Sequence, residues 1–165
     1  MNMNVVPRLD ASINTTGCCP KFNPEGWDGA EVHFRDKPVV RARTRSLMHL
    51  PLNMGKVFGR VQAHLRQADV EAQAVLTDEL SPWQEEHLFA VEKPVPGEEM
   101  GTLSGDFVTK VFEGPYSAAK RWHGALREIS RAHGKPDGRA FFFYTTCPKC
   151  AKAYGKNFVV GFAEV

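Results

Sequence analysis

The sequence is poor in the features that place a protein at once. No apolar run approaches the roughly 20 residues needed to span a bilayer, and Met1 to Thr16 lack the apolar core and cleavage pattern of a secretory leader. No membrane partner is expected, and the expected location is cytoplasmic. Charge of one sign is equally scarce: the formal net charge is +2, with basic residues interspersed among acidic ones, so no dense stripe points to nucleic acid. Lys149, Lys152 and Lys156 cluster only loosely. There is no phosphate-cradling glycine loop, and Gly101 to Gly105 read as a turn before a strand. No nucleophile elbow and no Ser-His-Asp order is visible, which argues against a serine hydrolase.

What is present is an ordinary globular composition. The chain has 165 residues, 42% of them hydrophobic and 24% charged, enough for a single domain with a real core. Residues 1 to about 16 are polar and without periodicity and read as a flexible arm. Gly17 to Gly29 read as an irregular segment that Phe22 and Trp27 could pin to the body. Val32 to Phe34 and Val39 to Leu50 look extended. From Pro51, placed at a first helical turn, Met54, Val57, Phe58, Val61, Leu65 and Ala68 recur at three and four and describe one helix face.

Short strands are expected at Ala74 to Thr77 and His87 to Val91, separated by Asp78 to Glu86. Pro94-Val95-Pro96-Gly97 form a break. A further strand, Phe107 to Glu113, leads to a helix with Tyr116, Ala119, Trp122, Leu126 and Ile129 inward, stopping at His133-Gly134. Arg139 to Thr145 and Asn157 to Val165 supply the last strands. The turn Phe112-Glu113-Gly114-Pro115-Tyr116 is echoed by Met48-His49-Leu50-Pro51-Leu52, with Phe58 matching Trp122 and Leu65 matching Ile129. The expected fold is α+β: duplicated βαββ units at 39–95 and 101–165, related by pseudo-two-fold symmetry, with an antiparallel sheet and two helices. The cleft between such copies is a natural ligand site.

From Val111 through Tyr116 and the helix beyond, and in the strand Leu88 to Val91 leading to Pro94-Val95, the chain resembles the GyrI-like small-molecule-binding family. The likeness covers about Val39 to Val165 and implies a GyrI-like or SOUL-type fold, of the kind found in ligand-sensing domains of multidrug-responsive regulators. It also implies binding of lipophilic, planar compounds between the repeats, and in some members hydrolysis of strained cyclopropane-bearing toxins. In many sensing relatives an acidic residue on the last-repeat strand faces a cationic ligand; Phe142 stands at that position here. Residues 1 to 38 are too irregular for a helix-turn-helix, so a stand-alone binder or enzyme is expected, monomer or homodimer. The Cys-Cys-Pro-Lys and Cys-Pro-Lys-Cys segments resemble a subgroup labelled hydrolase.

A pocket for an aromatic compound needs stacking walls. Trp83, Phe112, Tyr116, Trp122, Phe142, Phe143, Tyr144 and Tyr154 are the candidate walls, against the plainer reading that Trp122 and Tyr116 fill the helix-sheet core. For hydrolysis, a carboxylate beside an electrophilic carbon could activate water. Glu86 and Glu113 are the candidates, although Glu113 could instead cap a helix. Glu85 and Glu92 read as surface charges. His49, at the place of Glu113 in the first repeat, is a candidate ligand or base, or simply a hydrogen-bonded histidine.

The cysteines form a second constellation. Cys147-Pro148-Lys149-Cys150 sets two thiols around a tight turn, and Cys18-Cys19 lies in a segment of similar wording. Four thiolates could enclose a structural zinc. A redox dithiol and plain reduced thiols are the alternatives. The redox reading is opposed by context, because a thioredoxin-like pair opens a helix after a strand, whereas this pair is expected to interrupt two strands. No cofactor is required, and a zinc, if bound, would be structural.

Overall fold

Glu31–Leu47 folds as a single long strand, β1, whose in-out alternation is interrupted at Arg35-Asp36 and at Val39-Val40. In the computed structural model, which describes residues 3–48 and 50–165, the chain then runs through β2 (Leu50–Pro51), α1 (Met54–Gln67), β3 (Ala74–Ser81), β4 (Gln84–Ala90) and β5 (Glu99–Glu113). A 3-10 turn at Tyr116–Ala118 leads into α2 (Ala119–Ala132), followed by β6 (Ala140–Tyr144), α3 (Pro148–Tyr154) and β7 (Phe158–Glu164). This is a mixed α/β fold with antiparallel pairing and three helices. None of the described helices is long and apolar enough to cross a membrane.

The chain divides into two compact units, one spanning Phe34–Ser104, the other joining Gly105–Val165 to the N-terminal segment that ends at His33. In the Phe34–Ser104 unit, β1 pairs antiparallel with β2 and β4, and β4 with β3. α1 lays Val57, Val61 and Leu65 onto Val40, Ala42 and Phe89, with Phe58 and Ala68 at the edge of the cluster. The three-and-four spacing thus does what it predicts: one apolar stripe is buried, each full aliphatic burial contributing about 1.5–3 kcal/mol.

In the second unit β7 is central, antiparallel to β5 and β6. α2 buries Trp122 and Leu126 against Phe112, Phe142, Val159 and Ala163. The segment before β1 is fastened to β5: Gly29 N–H donates to the Thr109 carbonyl at 2.9 Å, Thr109 N–H to Ala30 at 2.9 Å, and Val111 N–H to the Asp28 carboxylate at 2.9 Å. Phe22 and Trp27 are buried beside Phe143, with Phe22–Trp27 and Trp27–Phe143 ring centroids 5.7 and 5.6 Å apart, as the aromatic-pin reading expects. Earlier in the chain Val6 is buried, and Asn4 N–H donates to the His33 carbonyl at 2.7 Å.

Four details differ from the sequence reading. Pro51 ends β2, and the helix starts at Met54 behind the N-cap Asn53. Asp78 to Glu86 is no separator: β3 and β4 continue into a hairpin turning at Pro82-Trp83, with Ser81 opposite Gln84. Gly101 and Gly105 lie inside β5 rather than in a turn, and Gly105 at φ +146° takes a conformation that glycine alone adopts easily. Tyr116 belongs to the 3-10 turn and is 38% exposed, so it is not on the inner face of α2. The third helix, absent from the sequence reading, carries the chemistry described next.

Candidate metal centre

α3 explains where two of the thiols go. Cys147 is its N-cap in extended conformation, Pro148 supplies the first helical residue with its preset φ, and Gly155 closes the helix at φ 75°. The Ala151 N–H returns to the Cys147 carbonyl at 2.9 Å. One turn of helix therefore places Cys147 and Cys150 on the same side. The Cys-Pro-Lys-Cys run opens a helix after a strand, which overturns the expectation of a tight turn between strands and removes the contextual objection to a redox pair.

The second pair arrives from the far end of the sequence. Thr16 organises it: its hydroxyl accepts from the Cys18 N–H at 3.3 Å and the Cys19 N–H at 3.4 Å, and lies 3.3 Å from Cys150 Sγ. The Tyr154 hydroxyl donates to the Cys19 carbonyl at 2.6 Å, so the last turn of α3 also holds this loop. The Sγ atoms of Cys18, Cys19, Cys147 and Cys150 all lie within 4.8 Å of one another, graded from exposed Cys18 to buried Cys150.

That arrangement fits a tetrahedral ion. Cys18 Sγ and Cys19 Sγ are 3.7 Å apart, and four sulfurs at about 2.3 Å from a zinc define a tetrahedron with edges of about 3.8 Å. All four cysteines are free thiols. The electrostatics favour a cation. The Thr16 hydroxyl, with help from Cys147 and Cys19, brings the Cys150 thiol down to about 6. Burial pushes the Cys19 thiol up to about 12, with Cys150 and Cys147 adding to the rise. One thiolate forms readily and its neighbours then resist ionising; a divalent ion bound among them reverses that resistance. Tyr116, beside Cys147 and Cys19, is raised by burial and by both thiols, and its hydroxyl donates to the Thr146 carbonyl at 3.2 Å.

The aromatic candidates fall into groups. Phe112 stacks on Trp122 with centroids 5.4 Å apart, and Trp122 lies 6.5 Å from Phe142. All three are buried in the α2 core. Tyr144 bridges Phe142 and Tyr116 at 6.0 and 5.9 Å, carrying the row toward solvent. Tyr154 faces the thiol loop. Trp83 stands 56% exposed at the β3–β4 turn. Two open concavities, of about 320 Å³ beside Ile13, Phe22 and Phe158 and about 520 Å³ beside Pro115, Ala118 and Arg121, contain none of the candidate wall residues. His49 lies outside the described residues.

The two candidate carboxylates have ionic partners. Glu86 accepts from Arg43 Nε at 3.3 Å, with Arg41 at 3.9 Å. Glu113 is half-exposed, 3.7 Å from Lys156 Nζ. Glu85, read as a surface charge, is instead buried. It shares the interior of its unit with His87, whose ring nitrogens meet the Thr44 hydroxyl at 2.8 Å and the Thr77 hydroxyl at 2.9 Å. Alternation could not reveal this pair, because Leu88 on the opposite face of β4 is buried too.

With this geometry in place, comparison with known families becomes informative. Residues 9–165 match the family described as bacterial hydrolase, and the chain belongs to that family. The matched span includes all four cysteines and every described candidate site residue. No curated protein sequence matches the chain significantly.

Proposed function

We propose that this protein is a small-molecule hydrolase whose N-terminal segment is fastened by a structural zinc centre of four cysteines. The convergence of four Sγ atoms within 4.8 Å, from two segments at opposite ends of the sequence, carries the zinc assignment. Four protein thiolates fill a tetrahedron and leave no position for water or substrate, so the ion holds the fold rather than reacting. Cys18, Cys19, Cys147 and Cys150 would hold it, with Thr16 and Tyr154 orienting the Cys18-Cys19 loop. A dithiol pair would need only Cys147 and Cys150; the presence of the second pair at ligand distance favours the metal. Elemental analysis of protein purified without chelator tests this. About one zinc per chain is expected, and less than about 0.1 equivalent excludes a constitutive site.

For the ligand, we infer a hydrophobic, planar aromatic compound handled in the GyrI-like manner. Trp83 favours this: a large aromatic left more than half exposed at a hairpin turn, with no ring partner among the described residues, is a stacking surface. The shared run of strand, helix and two further strands, with α3 inserted before the last strand of the second unit, supports the duplication that this likeness requires. Fluorescence titration with a panel of planar dyes is the test. Binding weakened by Trp83→Ala is expected, and no binding across the panel contradicts it.

A further inference from the structure

The Phe34–Ser104 unit buries a second set of reactive groups, which the thiol centre leaves unused. Thr44 of β1 is directly opposite Glu85 of β4, and His87 is opposite Thr77 of β3. The ladder continues past Gln84, where the Ser46 N–H donates to the Trp83 carbonyl at 2.8 Å. Opposed residues and residues two apart share a face, so Ser46, Thr44, Glu85, His87 and Thr77 all lie on the side covered by α1. Phe58 of that helix meets the His87 ring edge-on at 4.9 Å.

All five polar side chains are more than nine-tenths buried. His87 is tied at both nitrogens by Thr44 and Thr77, and Glu85 Oε2 stands 3.7 Å from His87 Nε2. Ser46 differs: its buried Oγ has no hydrogen-bond partner among the described residues. A buried hydroxyl left unpaired is costly, and a ligand oxygen would satisfy it.

Beside this polar floor the unit exposes Met48, Leu80 and Trp83, each at least half exposed. Their places converge on Ser46. Met48 stands two residues beyond Ser46, and Leu80 and Trp83 belong to the hairpin end whose backbone Ser46 meets. A rim of large apolar side chains above a buried carboxylate and an unpaired hydroxyl is the composition of a small-molecule site.

We propose that this end of the unit is a hydrolytic site for an apolar carboxylic ester, with Glu85 as general base and Ser46 as hydrogen-bond donor to the ester carbonyl. The proposal rests on the hydrolase reading above and gives it residues. Glu85 takes a proton from water as the water oxygen bonds to the carbonyl carbon. The Ser46 O–H donates to the carbonyl oxygen, where negative charge gathers. The C–O bond to the alcohol then breaks, its electron pair leaves on the alcohol oxygen, and Glu85 returns the proton there. Ester and water become carboxylic acid and alcohol, with no oxidant or further reactant. Met48, Leu80 and Trp83 receive the apolar part of the substrate. Glu85 shares the buried face with Ser46, whereas Glu86, opposite Arg43, lies on the other side of β4.

The test is hydrolysis of p-nitrophenyl butyrate by the full zinc-loaded chain and two variants. Wild type is expected to show saturable turnover above the water rate. Glu85→Gln should lower kcat/KM about 100-fold or more. Ser46→Ala should lower kcat about tenfold with KM within twofold, while melting no lower than wild type, since it removes an unpaired hydroxyl. If Glu85→Gln fails to fold, the Ser46→Ala result stands alone as the decision. Turnover retained within twofold in the folded variants overturns this site and leaves the hydrolase reading intact. A wild-type chain with no turnover above the water rate overturns both.

Discussion

The two units solve the same packing problem and then diverge. Each lays a 14-residue amphipathic helix over antiparallel strands, and each buries one apolar seam beneath it. The unit built from the two ends of the chain adds sulfur, with four thiols and a ring of aromatics around an otherwise irregular N-terminal segment. The Phe34–Ser104 unit adds oxygen and nitrogen, in Thr44, Ser46, Thr77, Glu85 and His87. Shared layout accounts for the folding, and the chemistry resides where the two units differ. In the proposed reading a zinc would cross-link the sulfur unit, whose N-terminal segment has little secondary structure; the other unit is a hairpin and helix with a buried polar floor.

The largest expected effect breaks the sulfur side of this comparison. Cys147→Ser with Cys150→Ser should abolish zinc binding and lower the melting temperature by about 10 °C, the size expected when a few kcal/mol are lost from a chain this long. Metal analysis and calorimetry check both. An unchanged melting point would show that the thiols fasten nothing.

Next come matched cavities. Leu126→Ala on the inner face of α2 and Leu65→Ala on that of α1 each empty a fully buried position and should each cost about 2–5 kcal/mol in urea unfolding. Similar losses would sharpen the view that the two seams are equivalent. A loss below about 1 kcal/mol in one of them would break it.

Acid separates the units further. Burial brings His87 down to about 4 from an ordinary 6.5, so the native state binds the proton more weakly than the unfolded chain. Its contribution to stability is complete above pH 6.5 and is lost as pH falls toward 4, about 3 kcal/mol in all. His87→Gln should flatten the stability profile across that window; the difference between variant and wild type cancels any acid loss of zinc. A profile as steep as wild type would contradict the assignment. The smallest effect is expected at the exposed Lys156–Glu113 pair, where Glu113→Gln should change stability by less than about 0.5 kcal/mol in the same measurement.

The sequence made the two long helices legible because Val57, Val61 and Leu65, and likewise Trp122 and Leu126, keep helical spacing over several turns. It hid α3, since seven residues are too few for periodicity to register. Pro148 at the first helical position and Gly155 as cap were nevertheless the available signals. The thiol cluster was legible from the matching words around Cys18 and Cys147. Glu85 and His87 were not. Alternation identifies an inward face only where the other face is wet, and β4 is buried on both.

X-ray absorption at the zinc edge of the purified, chelator-free protein tests the account most directly. Four sulfur neighbours at about 2.3 Å are predicted, because Cys18, Cys19, Cys147 and Cys150 would supply the whole coordination shell. A shell containing nitrogen or oxygen at about 2.0 Å, or no zinc to measure, would contradict it.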